Sequence, residues 1–279
     1  MLFIELRVFL AVKVSRRAFI LSALVGGLGL LLTDSLFYEP RVHVSLEYLD
    51  VVLNGLGEDF TIGHISDIHL GSPSPIWRAL NVLKDGNPDV IVVTGDIFSK
   101  QDRLEEGLEV VGRLIEIAPT YLVYGNWDYW SNVDLDEFKR KAENIGAVIL
   151  RNEWVRLEYG VYLIGVDDPY TGRDRLEEAM VGCKGPKVLL AHSPQIIGKA
   201  EGRVNLILSG HTHGGQVVIP GLGPLYVPLP GKYRKYCSGL YTVGETLMYV
   251  NRGIGISVFP IRFACPPEVT LVRLTPPLL

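Results

Sequence analysis

Apolar and polar residues alternate with different periods along this chain, and each period predicts an element. Five short apolar runs stand out: FTIGHIS (60–66), DVIVVTG (89–95), TYLVYG (120–125), KVLLA (187–191) and VNLILSG (204–210). Each is bounded by turn residues, and uninterrupted runs of this length suit strands buried on both faces. Between the early runs lie SPIWRALNVLKDG (74–86) and QDRLEEGLEVVGRLIEIA (101–118), the second with Leu104, Leu108, Val111 and Leu114 at helical spacing. DLDEFKRKAENIG (134–146) opens with Asp134 and Glu137 in capping-box spacing and ends at a glycine. Strand and helix alternate, so the expected class is α/β. RVHVSLEY (41–48) has period two and predicts an edge strand with one wet face. Past Gly215 helical spacing stops: GLYTVGETLMYVN (239–251) predicts a hairpin around Gly244-Glu245, and EVTLVRL (268–274) a last strand.

The N-terminal pattern is different. From Ala18 to Leu32 no charge occurs, and the apolar run reaches Phe37 with one Asp. That is close to the roughly 20 residues that span a bilayer. Basic residues flank only its N-terminal side, which puts residues 1–17 in the cytoplasm and the rest across the membrane. Ser15-Arg16-Arg17-Ala18-Phe19-Ile20 also resembles a twin-arginine export signal. No A-x-A cleavage site follows, so an uncleaved anchor is the expectation. Two regions result: a basic segment and transmembrane or signal anchor over 1–37, and one catalytic domain over 38–279.

Charge follows the same division. The whole chain is −4. Residues 1–37 hold Arg7, Lys13, Arg16 and Arg17 against Glu5 and Asp34, which leaves the remainder at −6. Such a domain binds nucleic-acid backbone poorly, so no nucleic-acid partner is expected. Cys183, Cys237 and Cys265 are scattered and odd in number, giving neither a disulfide framework nor a thiolate zinc site.

Candidate chemistry collects at the ends of the five apolar runs. They are followed by Asp67 and His69, by Asp96, by Asn126, by His192, and by His211 and His213. In open α/β sheets, ligand sites lie beyond the carboxyl ends of the strands. If these strands run parallel, seven metal-competent side chains converge on one rim. In extended chain, residues i and i+2 point the same way, roughly 6.6 Å apart. On that argument Asp67 with His69, and His211 with His213, each straddle one metal or two. Carboxylate, amide oxygen and imidazole together suit Zn, Mn or Fe. Seven ligands exceed one tetrahedral ion and fit two, with Asp96 able to bridge. Singly, each of these residues has a plain structural explanation as a cap, a turn residue or a core histidine. All five sites in order, each at a strand end, do not.

The blocks DIHL, GDIF, GNWD, AHSP and GHTHGGQ resemble those of the calcineurin-like metallophosphoesterase superfamily, in its membrane-tethered or exported prokaryotic branch. The resemblance implies two facing mixed β-sheets flanked by helices, an α/β/β/α sandwich. It implies two divalent ions: Asp67, His69 and His213 on the first, Asn126, His192 and His211 on the second, and Asp96 between them. Asp96, Asn126 and His192 are then also the catalytic residues. The implied activity is hydrolysis of phosphoester or pyrophosphate bonds, with a metal-bridging hydroxide attacking phosphorus in line. The implied partners are a phosphorylated small-molecule or lipid substrate and the membrane, with the catalytic domain on the extracytoplasmic side. A noncatalytic metal-binding scaffold on the same fold is the alternative.

One block departs: the family usually reads Gly-Asn-His, and here Trp127 holds the histidine's place. An indole N–H donates a hydrogen bond but delivers no proton at neutral pH. Leaving groups that depart without protonation, such as the phosphate of a pyrophosphate, are therefore expected. Trp127 and Arg252 are the candidate substrate contacts. The loop PGLGPLYVPLPGKYRKYC (220–237) carries Lys232, Arg234 and Lys235 among tyrosines, a basic apolar lip suited to an anionic amphiphile. Ser193 is in no nucleophile elbow and no P-loop is present, which excludes a serine hydrolase and a P-loop enzyme.

Overall fold

A computed structural model describes residues 15–277. Arg7 and Lys13, part of the basic segment read above, lie outside the described residues. Helix α1 (Arg16–Thr33) is capped by the Ser15 hydroxyl, which accepts from the Ala18 N–H, and none of its residues is buried. A wider turn over Asp34–Tyr38 follows. The span Arg16–Tyr38 has mean hydropathy 1.8 and is long and apolar enough to cross a membrane. At about 1.5 Å per residue, α1 alone reaches about 27 Å.

The body begins with β1 (Ser45–Val52), β2 (Phe60–Ile65), α2 (Ile76–Gly86) and β3 (Val90–Thr94). It continues with α3 (Leu104–Ile115), β4 (Thr120–Val123), the short α4 (Asn126–Trp130), α5 (Leu135–Asn144) and β5 (Val148–Ile149). One six-stranded sheet results, in the order β1-β14-β2-β3-β4-β5, closed by the last strand β14 (Glu268–Thr275). β2, β3, β4 and β5 run parallel, β14 is antiparallel to β2, and β1 is parallel to β14. The second sheet starts from β6 (Glu153–Arg156) and β7 (Tyr162–Gly165). After α6 (Leu176–Ala179) come β8 (Lys187–Leu190), α7 (Ile197–Ala200) and β9 (Leu206–Ser209). A small hairpin, β10 (Val218–Ile219) with β11 (Gly223–Pro224), precedes the predicted hairpin of β12 (Gly239–Val243) and β13 (Thr246–Val250). This sheet has the order β12-β13-β9-β8-β7-β6, with β13, β9, β8 and β7 parallel.

Side-chain alternation divides the core into three layers. In β3, Ile91 and Val93 face α2, α3 and α5, while Val90 and Val92 face the second sheet. In β9, Leu206 and Leu208 meet them from the other side and Ile207 packs outward against α6 and α7. Both sheets are thus covered on both faces, as their unbroken apolar runs require, and the architecture is mixed α/β with two sheets and flanking helices.

Two local readings shift. The edge strand starts at Ser45, not Arg41, because the N–H groups of Arg41, Val42 and His43 all turn back to the Tyr38 carbonyl. The buried stripe of α3 is Gly107, Val110, Val111 and Leu114; Leu104 and Leu108 lie at its margin. Phe98 sits on Gly107, where a Cβ would come 2.6 Å from its Cζ, so the buried stripe includes a position with no room for a side chain.

Candidate metal centre

The parallel strands of both sheets deliver their C-terminal ends to one rim. β2 leads to Asp67 and His69, β3 to Asp96, β4 to Asn126, β8 to His192, and β9 to His211 and His213. All seven side chains are buried there, each at most 6% exposed. The backbone of five of them is not extended. Asp67, His69, Asp96, His211 and His213 all have φ between 51° and 71°, the left-handed region that costs most residues energy. Strained backbone of this kind clusters at functional sites. The same-side argument for i and i+2 therefore gives way to tight turns past each strand end.

The turns sort the candidate ligands into two groups. Asp67, His69 and His213 form one triad and Asp96, His192 and His211 the other, with the ligand atoms of each within 4.8 Å of one another. His211 and His213, two residues apart, thus belong to different triads. The Asp96 carboxylate, in the second triad, also reaches the first: Oδ2 is 3.2 Å from His192 Nε2 and 3.6 Å from His69 Nε2. Its Oδ1 accepts from the Trp127 N–H at 2.8 Å. Asn126 Oδ1 is 3.1 Å from His192 Nε2 and joins the second group.

The donor set fits divalent cations. His69 Nε2 and His213 Nε2 approach to 3.0 Å, and His211 Nδ1 and His192 Nε2 to 3.1 Å, so ring nitrogens converge in pairs. Their far nitrogens are held by oxygen: His69 Nδ1 by Ser99 Oγ, His192 Nδ1 by the Thr94 carbonyl, His211 Nε2 by the Pro228 carbonyl. This is the outer contact that orients a ligating imidazole. His213 differs, because its Nδ1 faces the Arg262 guanidinium at 3.4 Å, a donor with no acceptor to offer. Burial keeps His69 neutral, down to about 4, and His211, down to about 3. Burial, then the His69 ring and the Arg262 charge, lower His213 as well. Burial would lower His192 too, but the Asp96 carboxylate outweighs it and raises that ring, while the His192 charge holds Asp96 below the usual carboxylate range.

Close approach at the rim needs missing side chains. A Cβ on Gly125 would lie 2.7 Å from His192 Cγ and collide with the Asp96 carboxylate. One on Gly210 would collide with Ser66 and Asp67. Gly125 has φ −112°, which any residue adopts, so clearance and not backbone freedom requires glycine there.

Asp128 was left without a role by the sequence. It is buried and accepts from the N–H groups of Asp96, Ile97, Phe98 and Gly125 at 2.7–3.0 Å. It thereby clamps the Asp96 turn to the Asn126 turn. Burial and the Asp96 charge push its carboxyl up to about 7, against the pull of these donors. Three other residues escaped sequence reasoning. Arg262, fully buried, donates to the carbonyls of Arg252, Gly253, Gly255 and Cys265 and so shapes the turn behind Asp67 and His69. Tyr170 lays its ring 4.5 Å from His211, and Trp130 meets Tyr170 at 6.1 Å and Trp127 at 5.8 Å. The local signals, an isolated arginine and scattered aromatics, carried no spacing that pointed to the site.

Trp127 lies edge-on to His69, ring centroids 5.7 Å apart, at one end of this aromatic wall. Arg252 is engaged elsewhere: its guanidinium pairs with Glu47 and with the buried Glu268. Lys232, Arg234 and Lys235 are exposed on the loop that follows Pro228.

Two interdigitated sheets with paired triads at one rim define a metal-dependent phosphoesterase. The calcineurin-like phosphoesterase family model matches residues 60–215, and the chain belongs to that family. It is 34% identical over 257 residues to a transmembrane protein with metallophosphoesterase domain from Danio rerio, covering 84% of this chain and 56% of that protein. It is 30% identical over 254 residues to the uncharacterized metallophosphoesterase YkuE of Bacillus subtilis, covering 85% and 87%. With the phosphodiesterase YaeI of Escherichia coli it shares 28% over 225 residues, covering 77% and 82%. The chain spans just over half the length of the Danio rerio relative and most of the two bacterial ones.

Proposed function

We propose that Asp67, His69 and His213 hold one divalent cation, that Asn126, His192 and His211 hold a second, and that Asp96 bridges them. The observation that carries this reading is that the carboxylate of Asp96, a member of one buried triad, also lies 3.6 Å from His69 of the other. The donor set favours Mn, Zn or Fe. A cation pair of this kind would activate water for in-line attack and neutralise charge on the phosphoryl oxygens. The protein's own residues do the rest. Burial keeps three imidazoles neutral and ready to donate lone pairs. Asp128 holds the Asp96 and Asn126 turns in register. Trp127, with no proton to give, shapes the mouth and suits a leaving group that departs unprotonated.

The substrate class is a phosphoester or pyrophosphate on a lipid-linked or nucleotide molecule. The domain over residues 38–279 is carried on the apolar segment as a membrane anchor. Arg16 and Arg17 at its start support twin-arginine export to the extracytoplasmic side. No nucleic acid is involved.

Hydrolysis of bis(4-nitrophenyl) phosphate with added Mn²⁺, together with elemental analysis of the purified protein, tests the centre. About two equivalents of metal and turnover are expected, and Asp96→Asn abolishes both the second equivalent and the activity. Metal bound without any turnover on mono-, di- or pyrophosphate esters would instead mark a noncatalytic scaffold.

A further inference from the structure

The N-terminal helix and the rim of the site are joined by one hydrogen-bonded strap. α1 stands clear of the body, and the chain returns to it at Ser35, whose carbonyl accepts from the Arg262 N–H at 3.0 Å. The Glu39 carboxylate then accepts from the N–H groups of Ala264 and Cys265. The strap, residues 257–265, continues into the β10–β11 hairpin: Val218 N–H donates to Phe263, and Phe263 N–H to Gln216, at 2.9 and 2.8 Å. The Gln216 side chain accepts from the Ser257 N–H and donates to the Phe259 carbonyl. The end of the apolar helix, the strap and the hairpin are therefore fixed at one level.

That level carries bare apolar side chains. Leu222 is 85% exposed, and Leu225, Tyr226, Val258 and Phe259 are 67–69% exposed. Single exposed apolar residues are ordinary, but a group of them on bonded neighbouring segments marks a contact surface. A mostly apolar cavity of about 350 Å³ lies among them, with Tyr226, Pro228, Val258 and Phe259 on its walls and Gln216 and His213 beneath. Its lining thus runs from a member of the first triad to the exposed lip.

We propose that this lip lies in the bilayer interface and that the cavity takes an acyl chain of the substrate, a membrane lipid carrying a phosphate ester or pyrophosphate. The inference rests on the phosphoesterase reading above and adds the direction of approach. The bilayer surface meets the protein where α1 ends, and the strap is bonded to that end. Aromatic and aliphatic side chains at this height are what an interface accepts. A free nucleotide would leave the apolar walls unused. Lys232, Arg234 and Lys235, exposed on the loop beyond Pro228, add attraction for anionic headgroups. The step is hydrolysis: the water oxygen bonds to phosphorus as the P–O bond to the leaving group breaks, and the water's proton passes to the product or to solvent.

The test uses the full chain in phosphatidylcholine–phosphatidylglycerol nanodiscs with Mn²⁺. Turnover of embedded dioleoylglycerol pyrophosphate and dioleoyl phosphatidic acid is compared with that of soluble bis(4-nitrophenyl) phosphate. The Val258→Asp, Phe259→Asp double variant is expected to lower the lipid-to-soluble turnover ratio about tenfold or more. An unchanged ratio, or a wild type that cleaves the soluble ester alone, overturns the inference and leaves the phosphoesterase reading standing. A wild type that cleaves none of the three, with metal present, overturns that reading and this inference together. Phe259→Trp supplies a readout independent of turnover: brominated acyl chains should quench its added fluorescence, and no quenching would place the lip outside the bilayer.

Discussion

Two sheets bring histidines to the Asp96 carboxylate. His69 comes from the first sheet and His192 from the second. Trp127 is bonded to the same carboxylate through its backbone N–H, a contact that does not depend on its side chain. Replacing it should therefore change chemistry more than structure. Trp127→His restores a group able to deliver a proton, and the dependence of kcat on leaving-group pKa should become shallower across a series of aryl and alkyl phosphates. An equally steep dependence in both proteins would remove proton delivery from the explanation. A second residue-scale expectation concerns His64, which is fully buried, bonds only Thr94 Oγ1, and is lowered to about 3 by burial. The unfolded chain takes up that proton near pH 6.5 and the folded chain does not. Stability from this group is thus complete above pH 6.5 and lost as pH falls toward 3, at up to about 1.4 kcal/mol per pH unit. Urea unfolding at pH 7 and pH 4.5 should show a smaller acid penalty in His64→Gln than in the wild type. At this scale the sequence was informative where a residue type is rare and its position regular, as with the histidines after strands. It was silent on Asp128, Tyr170 and Arg262, whose partners are 30 or more residues away or reach them only through turns.

Elements show the same division. Helix α5 was legible to its cap: the Asp134 carboxylate accepts from the Glu137 N–H at 2.9 Å, as the spacing of the two acids requires. Asp134→Ala should cost about 1 kcal/mol in urea unfolding with no change in phosphoesterase activity, because the cap lies on the outer face of the first sheet. The strands β2, β3, β4, β8 and β9 were equally legible, since burial on both faces demands unbroken apolar runs. Strands β5, β6 and β7 were not. β5 has two residues, and β6 exposes its side chains, so neither carries a period long enough to read. The short strands matter nonetheless, because β7 delivers Asp167, whose carboxylate accepts from Tyr129 OH at 2.5 and 2.7 Å and steadies the loop that brings Tyr170 over His211.

The molecule as a whole combines an acidic body with a bare apolar helix that begins at two arginines. If this helix anchors an exported domain, the full chain should fractionate with membranes, leave them with detergent and not with salt, and be digested by protease added from outside. The paired change Arg16→Lys and Arg17→Lys should then leave it protected. Digestion of the wild type only after membrane rupture would reverse the orientation. The sequence by itself determined the alternation of strands and helices, the apolar segment, and the seven metal-competent side chains that follow strand ends, because periodicity and residue chemistry are local properties. Only the tertiary structure decided which of these side chains share a triad, that five of them sit on left-handed backbone, and that the strap joins helix to rim. These depend on packing two sheets face to face, and contacts made across that interface leave no spacing in the chain.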